Sequence, residues 1–291
     1  MRLSRFAILG ALVVGVIGCR DDSNDPVSSV IPTLAFVRYI NAVPDTLNTT
    51  MRFIDQVQFV PLTFVNVPYR GLAQGNYQGV RLDAHHIRVF TADVSDYNAA
   101  GNTAILVDTS FTFQAGKYYT LLHTGYARAG STPRQQLQLI EDVFPTPGTS
   151  VAVRFINSSL NLGAMDFYLL PSVTSTIGGT PTQSALALAA VSSYSTMAAG
   201  TLAARTTAAG TVNPLAAGAP TAGATGNPFA PASNGVPAVP AVDPTAGLNV
   251  PGSVLTGIAF PASVTGSRAA AAAAPSVVFF PDKQPPRYTT P

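Results

Sequence analysis

The chain has 291 residues, of which only 10% are charged, with a formal net charge of +2 and a single cysteine. So nearly neutral a chain lacks the basic surface that neutralises phosphates, which argues against a nucleic-acid partner. Low charge together with 24 Gly and 24 Pro suits an exported β-protein with long loops better than a cytosolic helical enzyme.

Arg2 and Arg5 open the chain, and residues 6–17 are an unbroken apolar and glycine run. The run is too short for a spanning helix, which needs ~20 residues. A basic start, a short apolar core and small residues at a cut site are the features of an export signal. Val16-Ile17-Gly18-Cys19, followed at once by polar Arg20-Asp21-Asp22-Ser23-Asn24-Asp25, resembles a bacterial lipoprotein signal peptide with its lipobox. The resemblance implies a signal peptide over 1–18, cleavage before Cys19, and acyl lipid such as palmitate on that residue. Arg20 is not the Asp that marks inner-membrane retention, so the outer membrane is favoured. Loss of 1–18 removes Arg2 and Arg5 and no acid, taking Lys+Arg from 16 to 14 against 14 Asp+Glu. With Cys19 acylated, the remaining chain has no thiol for disulfides, nucleophilic catalysis or metal ligation.

Residues 19–32, with Pro26 and Pro32, read as a flexible tether from lipid to fold. From Thr33 the pattern becomes short, apolar and β-branched runs separated by turn residues. Strands are expected over 34–40, 51–54, 59–65, 77–82, 87–91, 105–113, 118–123 and 137–140. In Ser110-Phe111-Thr112-Phe113-Gln114 the two phenylalanines alternate with polar residues and so share one face. No long amphipathic helix is expected. About eight short strands of this kind predict a β-sandwich over 33–145.

The pattern then recurs. Val37-Arg38-Tyr39-Ile40-Asn41 returns as Val153-Arg154-Phe155-Ile156-Asn157, and Met51-Arg52-Phe53-Ile54 as Met165-Asp166-Phe167-Tyr168. Tyr69 six residues before Gly75 matches Tyr194 six before Gly200, and Gly116 with Thr120 matches Gly252 with Thr256. Leu139-Ile140-Glu141-Asp142 matches Phe279-Phe280-Pro281-Asp282. Such self-similarity predicts a second module over 149–285. The fold class is therefore all-β, with two tandem immunoglobulin-like β-sandwich modules. Phe144-Pro145-Thr146-Pro147-Gly148 forms a stiff joint that limits relative motion. Residues 211–246 are almost all Ala, Gly, Pro, Thr, Val and Asn and read as a disordered low-complexity insertion. Residues 184–191 have helical propensity, but their place in the repeat favours a strand or loop, and 269–274 read as a loop between the last two strands.

Phe36-Val37-Arg38-Tyr39-Ile40-Asn41-Ala42-Val43-Pro44-Asp45 resembles the opening of the bacterial domain-of-unknown-function 4397 family. Leu72-Ala73-Gln74-Gly75-Asn76-Tyr77 and Ala115-Gly116-Lys117-Tyr118-Tyr119-Thr120-Leu121 are similar to its next two motifs. In the second module the first strand, 252–256 and the last strand fit, while Ser158-Ser159-Leu160-Asn161 departs from the family's Pro-Asp turn. The resemblance implies exported, cell-surface β-sandwich repeats. It carries no agreed activity and no catalytic residues.

Candidate chemistry is sparse. His85 and His86 are adjacent and, on a strand, point to opposite faces, so they cannot both clamp one ion without a distortion, and Asp83 is the nearby acid on which a weak metal site would draw. His85, Asp83 and His123 would have to form the cleft of any hydrolase. Asp45, Asp55 and Asp83 are the acids from which a calcium site could be built, without EF-hand spacing. Asp21-Asp22 belongs to the tether, and Glu141-Asp142 reads as a solvated strand end. No nucleophile elbow, phosphate loop or dinucleotide fingerprint occurs. Tyr118 and Tyr119 face opposite ways, which leaves one available for a surface contact. No catalytic residue, metal site or cofactor is expected; Cys19 is the one assigned site, for lipidation. The expected role is a non-enzymatic envelope lipoprotein that binds or builds. Its partners would be the membrane, through Cys19, and an envelope protein or glycan. A glycan-binding module or an accessory subunit of a hydrolase is the alternative.

Overall fold

The computed structural model describes residues 33–55, 63–91, 104–218, 233–237 and 242–287. The signal segment, Cys19 and the tether to residue 32 lie outside the described residues. Every regular element among the described residues is a strand.

The first half contains β1 (Ala35–Asn41), β2 (Thr49–Phe53), β3 (Thr63–Val67), β4 (Gly71–Leu72), β5 (Gln78–Val80), β6 (Asp83–Thr91), β7 (Ile105–Phe113), β8 (Tyr118–Thr124) and β9 (Gln136–Asp142). They form two sheets. One has the order β4-β1-β8-β9, with β5 also paired to β1; the other has the order β3-β2-β6-β7. The pairing of β1 with β8 is parallel and sets Arg38 beside Thr120. The other pairings in this half are antiparallel. The strand expected over 59–65 ends within β3, and its part over 59–62 lies outside the described residues.

The second half contains β10 (Ser150–Asn157), β11 (Met165–Leu170), β12 (Gln183–Leu186), β13 (Ser195–Ala198), β14 (Ala203–Ala208), β15 (Pro214–Gly218), β16 (Val254–Phe260) and β17 (Ser276–Lys283). They follow one path, β12-β11-β14-β15-β17-β16-β10-β13, in which β15 meets β17 only at Ala217 and Ser276. The pairings of the first half recur. Strand β10 runs parallel to β16 with Arg154 beside Thr256, and antiparallel to β13 as β1 does to β5. The architecture is an all-β sandwich.

Alternation along each strand decides what is buried where. Ala35, Val37 and Tyr39 of β1 enter a first core with Met51, Phe53, Ile87, Val89, Phe113, Tyr119 and Leu121. Val151, Val153 and Phe155 of β10 enter a second with Met165, Phe167, Leu255, Val277 and Phe279. The intervening residues Ile40, Leu122, Ile140, Ile156, Ile258, Phe260 and Phe280 meet one another in a third cluster that belongs to both halves. Strands β1, β8, β10 and β16 are thus covered on both faces, which is why they read as near-continuous apolar runs. Burying each of these large side chains contributes about 1.5–3 kcal/mol. The described residues from Leu34 onward belong to one compact unit.

Within 211–246, read from sequence as a disordered low-complexity insertion, the described residues include paired backbone. Pro214–Gly218 is strand β15, antiparallel to β14, and the Thr206 hydroxyl both accepts from the Ala216 amide and donates to its carbonyl. Backbone pairing needs no side-chain period, so Ala and Gly suffice. Ser233 pairs with Thr245 and Val236 with Val242. Residues 219–232 and 238–241 lie outside the described residues. Gln183–Leu186 is a strand and 269–274 a loop, as the repeat implied.

Candidate functional site

The most elaborate polar arrangement is buried between the two halves. It is built from one residue each on β1, β8 and β9, the residue preceding β5, and their counterparts. Arg38 projects from the face of β1 opposite the first core. Its Nε donates to Thr120 Oγ1 at 2.8 Å, its Nη1 to the Pro281 carbonyl at 3.1 Å, and its Nη2 to Asp282 Oδ1 at 2.6 Å. Arg154 does the same from β10. Its Nε donates to Thr256 Oγ1 at 2.8 Å and its Nη2 to Asp142 Oδ1. Each arginine therefore pairs with the aspartate of the other half.

The aspartates are held by their own halves. Asp142 Oδ2 accepts from Thr120 at 2.6 Å and Tyr77 at 2.7 Å; Asp282 Oδ2 accepts from Thr256 at 2.6 Å and Tyr194 at 2.8 Å. The guanidinium of Arg38 also lies 4.8 Å from the Tyr77 ring centroid, and that of Arg154 4.9 Å from Tyr194. The arrangement is neutral, with two cations and two anions, and each carboxylate oxygen has a partner. Such completeness is what allows charges to be buried at all.

Electrostatics follow from this packing. Burial alone would lower the Arg38 guanidinium, but Tyr77, Asp282 and Asp142 outweigh it and hold its pKa above the ordinary value. Arg154 is held up in the same way against burial by Asp282, Asp142 and Tyr194. Burial pushes the Tyr77 and Tyr194 phenols up. Both remain neutral donors, as their bonds to the carboxylates require.

Of the residues singled out in the sequence, His85 and Asp55 meet, while His86 and His123 have other partners. His85 is buried, with Nδ1 2.8 Å from Asp55 Oδ2 and Nε2 3.0 Å from the Arg81 carbonyl oxygen. His86 points the other way, as alternation predicts, and meets exposed Asp108, which also accepts from Arg88 Nε at 2.7 Å. His123 lies on the other sheet, fully buried between Tyr39 and Gln135, and burial pushes its pKa down to about 4. Among the described residues His85 and His123 share no bonding partner, and Asp83 is exposed on β6. Asp45 accepts from the backbone N–H groups of Ala127 and Arg128, while Asp55 meets His85, so these two candidate calcium acids are engaged with different partners. Among the described residues no three His, Cys, Asp or Glu side chains group in a way that could hold a metal ion. Asp21, Asp22 and Cys19 lie outside them.

The Glu141-Asp142 pair requires a correction. Glu141 is solvated and bridges Lys117, but the Asp142 side chain has no exposed surface. Alternation sends it to the opposite side of β9, where the second half covers it. A second correction concerns Tyr69. The counterpart of Tyr194 is Tyr77, because β1 pairs Val37 with Gln78 while β10 pairs Val153 with Ser195. Tyr69 instead donates to the Pro261 carbonyl at 2.6 Å and packs on Phe260. Tyr119 is core, while Tyr118 is half-buried, stacked on Phe36 and edge-on to Tyr77. Phe144 of the joint closes this cluster. The rings of Tyr77, Tyr118 and Phe144 meet one another at 60° to 87° and form no flat row.

Sequence reasoning alone does not bring Arg38, Arg154, Asp142 and Asp282 together as one site. The signal is nevertheless present: a charged residue recurs at the same place in two copies of an otherwise apolar strand, and an acid recurs at the end of the closing strand.

Comparison with protein-family models matches residues 35–168, from the start of β1 into β11, to a domain of unknown function (DUF4397). The family resemblance carried by the Phe36–Asp45 opening is thereby borne out. No match was found among the curated proteins.

Proposed function

We propose that this chain, which carries the DUF4397 domain over 35–168, is a non-enzymatic cell-envelope lipoprotein whose paired β-sandwiches serve as a rigid binding or structural body. The observation that supports the rigid-body role is the reciprocal pairing of Arg38 with Asp282 and Arg154 with Asp142. Those charges hold the two sandwiches together. A body joined in this way carries force or presents a surface without hinging at the joint. The anchor follows from the Cys19 sequence context: acyl chains contribute roughly 0.8 kcal/mol per buried methylene, so a multiply acylated cysteine holds firmly to a bilayer. The outer membrane is the favoured address, and an envelope protein or glycan the favoured partner.

The test is fractionation of host cells expressing the chain and Cys19→Ser. The native chain should partition with membranes and yield an acylated peptide beginning at Cys19, while the variant is released. Retention of the variant in the membrane fraction would remove the anchor from this reading. Crosslinking on intact cells with mass spectrometry then identifies the partner class; recovery of a turned-over small substrate would replace the non-enzymatic role.

A further inference from the structure

Strand β7 is the outermost strand of its sheet and, among the described residues, forms a ladder with β6 alone. A register shift between Val89 and Phe90 leaves residues 107–113 as its regular part. The His86 carbonyl accepts from the Ile54 amide, so the even-numbered residues of β6 turn their backbone groups to β2 and the odd-numbered ones to β7. Opposite those odd-numbered residues stand Val107, Thr109, Phe111 and Phe113. The backbone groups of Asp108, Ser110 and Thr112 therefore point outward, and among the described residues nothing bonds them. All three residues are exposed. Strand β9 of the facing sheet passes alongside β7 without forming a ladder with it.

Open edges of this kind are usually blunted. In the second half β15, which follows β14 as β7 follows β6, opens with Pro214 and meets β17 at Ala217 and Ser276. At the far edge of the first-half sheet, β3 carries Asn66 at φ +53° and a register shift against β2. Strand β7 has neither a proline nor a positive φ. Its single charged residue, Asp108, is already paired with Arg88 of β6.

We propose that the free edge of β7 pairs with the same edge of a second copy of this chain, antiparallel about a twofold axis at Ser110. Outward-pointing backbone groups must meet outward-pointing ones, so the axis passes through a residue and not between two. An axis at Asp108 sets two carboxylates opposite each other, which is unfavourable. An axis at Thr109 sets Thr112 and Phe113 against the irregular end of the strand. An axis at Ser110 uses all of the regular part. On the core face it pairs Val107 with Phe113 and Thr109 with Phe111, the aromatic and β-branched pairs that sheets favour. On the outer face it pairs Asp108 with Thr112, whose hydroxyl donates to the carboxylate. The two Ser110 residues exchange backbone bonds at the axis. Residue i meets j while j meets i, so the contact closes as a C2 dimer. This self-complementarity selects a second copy as the partner. The inference stands on the strand edge alone and does not depend on the lipid anchor.

The test uses differently tagged full chains in a Cys19→Ser background. With Ser110 intact, the sedimenting mass should rise with concentration from one chain to two. Ser110→Lys and Ser110→Glu each set like charges against each other at the axis, so each alone should stay monomeric. Mixed, the two should give a dimer that carries both tags. Position 110 is exposed, so neither variant should change the thermal midpoint of the monomer. Ser110→Pro removes an outward N–H without touching the ladder to β6, and should also abolish the dimer. A parent chain that stays monomeric up to millimolar concentration overturns the proposal. So do Lys and Glu variants that each dimerise alone as well as the parent. A dimer that Ser110→Pro leaves unchanged uses another surface and overturns it too.

Discussion

Arg38 and Asp282 stand 244 positions apart in the chain and 2.6 Å apart in the fold, with neither side chain exposed. The pair is one half of a reciprocal arrangement whose other half is Arg154 with Asp142. Removing one partner leaves a buried, uncompensated charge, which costs about 3–5 kcal/mol. Arg38→Ala should therefore lower the unfolding free energy by that amount in urea titration. The double variant with Asp282→Ala should lose less than the sum of the two singles. Additive losses would show that the pair is not coupled.

Thr120 tests the same network at the point where its two ion pairs meet. Its hydroxyl accepts from Arg38 and donates to Asp142, so it links both of them. Thr120→Val keeps the shape and removes both bonds, with an expected loss of about 2 kcal/mol. Thr256→Val should behave alike, and a pair of matched losses in denaturant unfolding checks the equivalence of the two halves.

His123 gives a pH dependence. Its pKa is about 4 in the fold, against 6.5 as the ordinary value, because it is fully buried. Between those values the unfolded chain binds a proton that the folded chain does not. Stability from this residue is thus complete above pH 6.5, falls as pH drops toward 4, and falls no further below it. The loss is on the order of 3 kcal/mol. His123→Gln should flatten this segment of a stability-versus-pH curve measured from pH 7.5 to 4, relative to the native chain.

The equivalent glycines Gly116 and Gly252 should separate backbone strain from crowding. Both have φ in the left-handed region, +70° and +85°. An added Cβ meets nothing within 4 Å at Gly116 but lies 2.8 Å from Pro286 Cδ at Gly252. Gly116→Ala should cost about 1 kcal/mol from the backbone alone. Gly252→Ala should cost roughly 1–3 kcal/mol more, read as a larger drop in thermal midpoint.

Asn41 explains why an asparagine closes the first strand. Its Nδ2 donates to the Val67 carbonyl and its Oδ1 accepts from the Val43 amide, both at 3.1 Å. Asn157 repeats this role, donating to Gly163 and Leu186 and accepting from Ser159. Asn41→Ala leaves a buried carbonyl and a buried amide unpaired, with an expected loss of about 2 kcal/mol by denaturant unfolding.

The strands are legible in the chain because their signals are local. Alternation places Phe111 and Phe113 on the core side of β7, and the predicted span 105–113 is that strand. The repeat is legible for the same reason, since Val37-Arg38-Tyr39 and Val153-Arg154-Phe155 must each turn one arginine away from the core that their neighbours fill. Alternation also fixes the opposite facing of His85 and His86.

What covers the outward face of a strand is not a local property. From sequence, Asp142 at a strand end belongs in water; in the fold, Arg154 lies over it. Tyr77 and Tyr194 cannot be matched by counting from glycines, because their equivalence depends on which residue of β1 or β10 stands opposite. Hydrogen bonding and side-chain alternation within a few residues are enough to set the elements, their two-residue period and their duplication. That the two duplicated faces meet each other is a tertiary outcome, since a buried ion pair is favourable only where distant segments supply both charges and all of their remaining partners at once.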